Sequence, residues 1–142
     1  MAQAIRLARD AGAPVIYVND DRDRWDSDAP ALAREAANGR GGEVVRDLLP
    51  QEGDRVVLKH RYSGFDHTAL ELLLEAEATE RVLLVGAATE GCVVQTALDA
   101  RERGLKATIL VDACATTDEE LEATALRYAS DVGGIYVERM TR

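Results

Sequence analysis

The stretch RVLLVGAATEGCVVQTALDA, residues 81–100, is where the fold can be read most directly. Val82 to Val85 form a continuous apolar run of the kind a parallel sheet buries on both faces. Gly86 to Cys92 interrupt it, and a helix is predicted from near Cys92 to a stop at Gly104. Strand, loop and helix in that order are the repeating unit of a parallel α/β sheet. The same stretch raises a question of chemistry. At the start of a helix, Cys92 meets a partial positive charge and free N–H groups that favour a thiolate and can cradle an oxyanion. Free cysteine is also among the most buried residue types, so on position alone both readings stand open.

Working outward, the alternation recurs. Upstream, an amphipathic helix over 2–11 ends at Gly12, and Pro14 opens a strand over 15–18. The loop NDDRDRWDSD follows. Two short helices, in ALAREAAN and EVVRDLL, are divided by Gly39, Gly41 and Gly42. A second strand covers 55–58, and Asp66 is placed to N-cap a helix that lines up Leu70, Leu73 and Leu74. Downstream, a strand covers 107–111. A helix then opens on the capping-box spacing Thr117-x-x-Glu120, with Leu121, Ala125, Tyr128 and Val132 on one stripe, and 135–137 makes a closing strand. No repeat, low-complexity tract or linker divides the chain, so residues 1–142 read as one domain. The prediction is a three-layer α/β/α fold around a mostly parallel sheet with right-handed crossovers. The opening helix has the character of a crossover whose preceding strand is missing from the sequence.

Composition narrows the partners. The 142 residues carry a formal net charge of −9, with 46% apolar and 30% charged residues. An acidic chain repels phosphate backbones, so nucleic acid and anionic membranes are not expected as partners. No apolar run approaches the roughly 20 residues that span a bilayer, and MAQAIRLARD does not resemble a secretory signal. Two cysteines make a poor disulfide framework, which points to free thiols in the cytoplasm. Cys114, inside the apolar run DACA, reads as core.

In an open α/β sheet, sites form beyond the carboxyl ends of the strands. Three loops meet that condition: Asn19 to Asp28, Lys59 to Phe65, and Gly86 to Cys92. Lys59, at a strand end beside the cysteine loop, is placed to stabilise a thiolate. A lysine there is equally an ordinary solvated strand end.

These segments together resemble the isochorismatase-like cysteine hydrolases, the group containing nicotinamidases and N-carbamoylsarcosine amidases. GAATEGCVVQTALDA is similar to the family's nucleophile segment and VLKHRYSGFDHTALELLL to its lysine segment. VDACATTD is similar to the segment after the next strand, and APVIYVNDDRDRWDSD to the loop of members without a metal. The resemblance implies the isochorismatase-like, Rossmann-like strand order, and Cys92 as the nucleophile that attacks an amide or ureido carbonyl. It implies Lys59 as the residue that holds the thiolate, and a cis peptide at Ala87–Ala88. The N–H groups of Ala88 and Cys92 would form the oxyanion hole. The cysteine favours C–N bond hydrolysis over vinyl-ether cleavage. Asn19, Trp25 and Phe65 are candidate substrate contacts, and family habit suggests a dimer or tetramer.

Two departures qualify this. NDDRDRWDSD lacks the histidines of a metal loop and fails the calcium-loop pattern at its glycine, while His60 and His67 read as surface residues; no metal or other cofactor is expected. The family's catalytic aspartate sits at the end of a first strand that has no counterpart here. A start placed too far downstream, a true loss, or a strand supplied by a partner would each account for that. The alternative to a hydrolase is a truncated, non-catalytic member that works through association. A redox role for Cys92 and Cys114 has no CxxC spacing behind it.

Overall fold

The computed structural model describes residues 1–140. Its elements, in chain order, are α1 (Ala2–Asp10), β1 (Ile16–Asp20), α2 (Ala29–Asn38), α3 (Gly42–Arg46), β2 (Arg55–Lys59), α4 (Leu70–Ala76) and β3 (Arg81–Ala87). After a π-helical turn at Thr89–Val93 come α5 (Val94–Glu102), β4 (Lys106–Ala115), α6 (Glu119–Asp131) and β5 (Tyr136–Glu138). The fold is mixed α/β with every strand pair parallel. The hydrogen-bonded strands form two sheets where one was expected. β1 pairs with β2, and β3, β4 and β5 lie side by side with β4 in the middle. Among the described residues, β1 and β3 each have one bonded neighbour. No helix there is long and apolar enough to cross a membrane.

A single core joins the two sheets. Val57 of β2, Phe65, Leu70 and Leu74 meet Val93, Val94, Ala97 and Ala100 at and after the turn, with Ala107 and Ile109 of β4 beneath. Ile16 and Val18 of β1 and Val82 and Leu84 of β3 pack against the same cluster. Each fully buried leucine or isoleucine contributes about 1.5–3 kcal/mol from apolar burial. The fully buried alanines of α5 let that helix lie close on β4. Gly64 serves a similar purpose between the sheets: a Cβ there would stand 2.9 Å from Val18 Cγ1 and 3.1 Å from Leu70 Cδ2. Its N–H donates to Thr96 Oγ1 at 2.9 Å, which fastens the segment after β2 to α5.

Three local expectations are corrected. Asp66 does not cap α4. His67 is left-handed at φ 56, and the helix begins beyond it, with the Leu70 N–H donated to Thr68 Oγ1 at 3.1 Å. Thr117 does not cap α6; Asp118 does, its Oδ1 accepting from the N–H groups of Glu120 and Leu121, both at 3.0 Å. β4 runs on to Ala115, because beyond an irregularity at Leu84/Gly86 the register continues as Gly86 with Cys114 and Ala87 with Ala115.

Candidate active site

Strand register brings the first groups together. β1 and β2 pair with Asp20 opposite Lys59, so a carboxylate and an ammonium emerge side by side at their carboxyl ends. Lys59 is only 5% exposed. A buried ammonium needs partners, and this one donates to the Arg61 carbonyl at 2.8 Å and to Cys92 Sγ at 3.3 Å. Asp20 Oδ2 lies 3.8 Å from the same nitrogen, on a side chain that is 58% exposed. Among the described residues, Lys59 is the side chain within hydrogen-bonding distance of the Cys92 sulfur.

Cys92 sits in the π-helical turn that links β3 to α5. The Ala87–Ala88 peptide is cis. The Ala88 carbonyl accepts from the N–H groups of Gly91 at 3.2 Å and Val93 at 3.3 Å, which closes the turn around the cysteine. Thr89, fully buried, ties it down by donating to the Ala115 carbonyl at 3.1 Å. From the outside Glu90 makes a second tie. Its carboxylate accepts from the Thr116 hydroxyl at 2.7 Å, from the Thr117 hydroxyl at 2.8 Å and from the Thr117 N–H at 3.3 Å. Its own backbone N–H and then these donors hold its carboxyl at about 2. Glu90 stands two residues before Cys92 in the stretch that decided the fold, and sequence reading passed over it. The signal available was a pair of neighbouring threonines at the end of β4.

The loop after β1 makes a further constellation. The Asp21 N–H donates to the Lys59 carbonyl at 2.9 Å. Its buried carboxylate faces His60 Nδ1 at 3.0 Å and accepts from the Asp23 N–H at 3.1 Å. His60 Nε2 lies 3.5 Å from Asp23 Oδ1, and the ring stacks on Trp25 with centroids 4.4 Å apart. Both histidines are exposed, as expected, and His60 in addition clasps two loops together. Trp25 itself is 80% exposed. Asn19 is exposed near the end of β1, opposite Leu58. Phe65 is a core residue, with the Arg103 guanidinium 4.7 Å above its ring. Cys114 is half-buried on β4, and burial pushes its thiol up. Among the described residues, no group of three or more His, Cys, Asp or Glu side chains is arranged to hold a metal ion.

The family model of the isochorismatase domain matches residues 1–139. The chain belongs to the isochorismatase family. It is 31% identical over 125 residues to the uncharacterized isochorismatase family protein YaaI of Bacillus subtilis, across 88% of this chain and 69% of that protein. Over 121 residues it is 31% identical to the maleamate amidohydrolase of Pseudomonas putida, across 80% of this chain and 56% of that one. Among solved structures, the N-carbamoylsarcosine amidase of Thermoplasma acidophilum is similar with a TM-score of 0.74 and 33% identity, over 97% of this chain and 79% of that chain. The chain thus spans 56% to 69% of the length of the two curated relatives. The family read from the cysteine, lysine and post-strand segments is the family found, and isochorismatase-family neighbours with TM-scores up to 0.79 share its fold.

Proposed function

We propose that the chain carries the nucleophile site of a cysteine hydrolase that cleaves the C–N bond of a small amide or ureido substrate. The observation that carries this reading is the 3.3 Å contact between Lys59 Nζ and Cys92 Sγ. An ammonium at that distance, buried and anchored on the Arg61 carbonyl, stabilises a thiolate over a thiol. The thiolate attacks the carbonyl carbon, and a C–S bond forms as the carbonyl oxygen takes up negative charge. That oxygen is received by the N–H groups of Ala88 and Cys92 at the turn. Collapse expels the nitrogen, which takes a proton from Lys59, leaving an acyl or carbamoyl thioester on Cys92. Water then attacks the thioester, Lys59 recovers a proton from it, and the acid departs as the thiolate is restored. Family membership and the amidohydrolase and amidase among the similar proteins support C–N cleavage as the reaction.

The second reading, a non-catalytic association domain, has its own observation. Among the described residues no carboxylate contacts the Cys92 sulfur, and Asp20 meets Lys59 and the Arg22 N–H instead. Intact-mass spectrometry after incubation with a panel of small primary amides and ureas separates the two. The hydrolase reading expects a transient mass increase on Cys92, lost in Cys92→Ala, together with ammonia release. If no member of the panel gives either signal on the folded chain, the association reading takes its place, and sedimentation then tests for a dimer or tetramer.

A further inference from the structure

A groove of about 400 Å³ opens beside the nucleophile turn, lined by Tyr62, Ala88, Glu90, Gly91, Gln95 and Thr117. Ala88 and Gly91 belong to the backbone that wraps Cys92, so the groove borders the nucleophile turn, although Cys92 itself is not in its lining. Its charge is one-sided. Glu90 is the one carboxylate in the lining, and among the described residues no lysine, arginine or histidine joins it. Lys59 does not face this space, being buried against the Arg61 carbonyl and the cysteine sulfur. The other polar groups, the Tyr62 and Thr117 hydroxyls and the Gln95 amide, are neutral. Glu90 is also fixed in place. Thr116 holds one of its oxygens and Thr117 the other, and together they orient the carboxylate.

We propose that this groove receives the part of the substrate beyond the scissile bond, and that Glu90 selects uncharged or cationic amides and ureas against those bearing a carboxylate. The assignment rests on Cys92 being the nucleophile. Two like charges about 5 Å apart at a water-like dielectric, as in an open groove, repel enough to slow reaction of an anionic partner by about three- to tenfold. The three hydrogen bonds that Glu90 accepts spread its charge without cancelling it.

The test uses two alkylating probes that form the same S–CH2 bond and release the same iodide, differing only in tail charge: neutral iodoacetamide and anionic iodoacetate. Second-order rates at Cys92 are read by peptide mass spectrometry at low ionic strength, where screening is weakest. The ratio of the two rates is compared among wild type, Glu90→Gln and Gln95→Lys. The proposal expects a neutral-over-anionic ratio about three- to tenfold higher in wild type than in Glu90→Gln, and a lowered ratio in Gln95→Lys as well. Gln95 is exposed, so its variant decides alone if Glu90→Gln loses its native circular dichroism. Equal ratios in wild type and in the folded variants, with Cys92 still reacting faster than Cys114, overturn the charge assignment alone. A Cys92 no faster than Cys114 toward iodoacetamide overturns the nucleophile reading, and this one with it.

Discussion

Two thiols in one chain provide an internal comparison at the scale of the residue. Cys92 has an ammonium 3.3 Å from its sulfur; Cys114 has the Leu84 carbonyl at 4.0 Å, a partner that favours the neutral thiol. Burial is the leading cause that pushes the Cys114 thiol up, which disfavours its thiolate. Near pH 7.5, Cys92 should therefore take up iodoacetamide about tenfold faster than Cys114 or better. Lys59→Met keeps the length of the side chain and removes the charge. It should slow Cys92 by about tenfold and leave Cys114 as it was, read by the same peptide mass spectrometry. An unchanged Cys92 rate in a folded Lys59→Met protein would mean that the ammonium does not hold the thiolate. The pair was legible in sequence because Lys59 ends one strand-like run and Cys92 opens the helix that follows the next. The partners of the other candidates were not. Trp25 stacks on His60, 35 positions away, and no local pattern records that contact.

Among the elements, α6 shows how a tertiary contact redirects a local signal. Thr117 and Asp118 are both good N-cap residues, and the spacing of Thr117 to Glu120 favours Thr117. What displaces it is Glu90, which draws both the hydroxyl and the N–H of Thr117 out toward the nucleophile turn. Asp118 then takes the cap, with the Thr116 hydroxyl accepting its N–H at 3.0 Å. The two neighbours should respond differently to alanine. Asp118→Ala removes the acceptor of two helical N–H groups and should cost about 1 kcal/mol, seen as a lower urea midpoint with an unchanged slope. Thr117→Ala should cost less than half of that, since it loosens Glu90 and leaves the cap intact. A larger loss for Thr117→Ala than for Asp118→Ala would restore the capping box. Strand β4 makes a similar point. Its apolar core over 107–111 was legible, while its last residues are extended because Cys114 and Ala115 have Gly86 and Ala87 to pair with. That extension places Ala115 where Thr89 can hold the turn.

For the whole molecule, strand and helix alternation was readable because each strand is a short apolar run and each long helix carries a stripe. The division into two sheets was not, because a strand's own residues do not record which edges find neighbours. The ties between distant segments were hidden for the same reason. One of them holds the first helix to the body: Arg9 of α1 pairs with Asp54, just ahead of β2, and donates to the Tyr17 hydroxyl of β1 at 3.1 Å. Tyr17 passes the connection on by donating to the Leu49 carbonyl at 3.3 Å. Burial pushes the Asp54 carboxyl up, but the Arg9 hydrogen bond and the Gln51 N–H together outweigh it, and the net result lies below the usual carboxylate value. A carboxylate whose folded value is depressed adds stability that is fully present above its unfolded value, near 3.9, and is lost as pH falls through the folded value. Stability measured by urea titration at pH 7 and at points below pH 4 should show this loss in the wild type. Asp54→Asn should be less stable at pH 7 by about 1–3 kcal/mol, because Arg9 loses a charged acceptor in a half-buried place. The same variant should show a shallower fall with acid, its curve approaching the wild type's as Asp54 protonates. Parallel curves at every pH would assign the cost to packing and remove the ion pair from the account of how α1 is held.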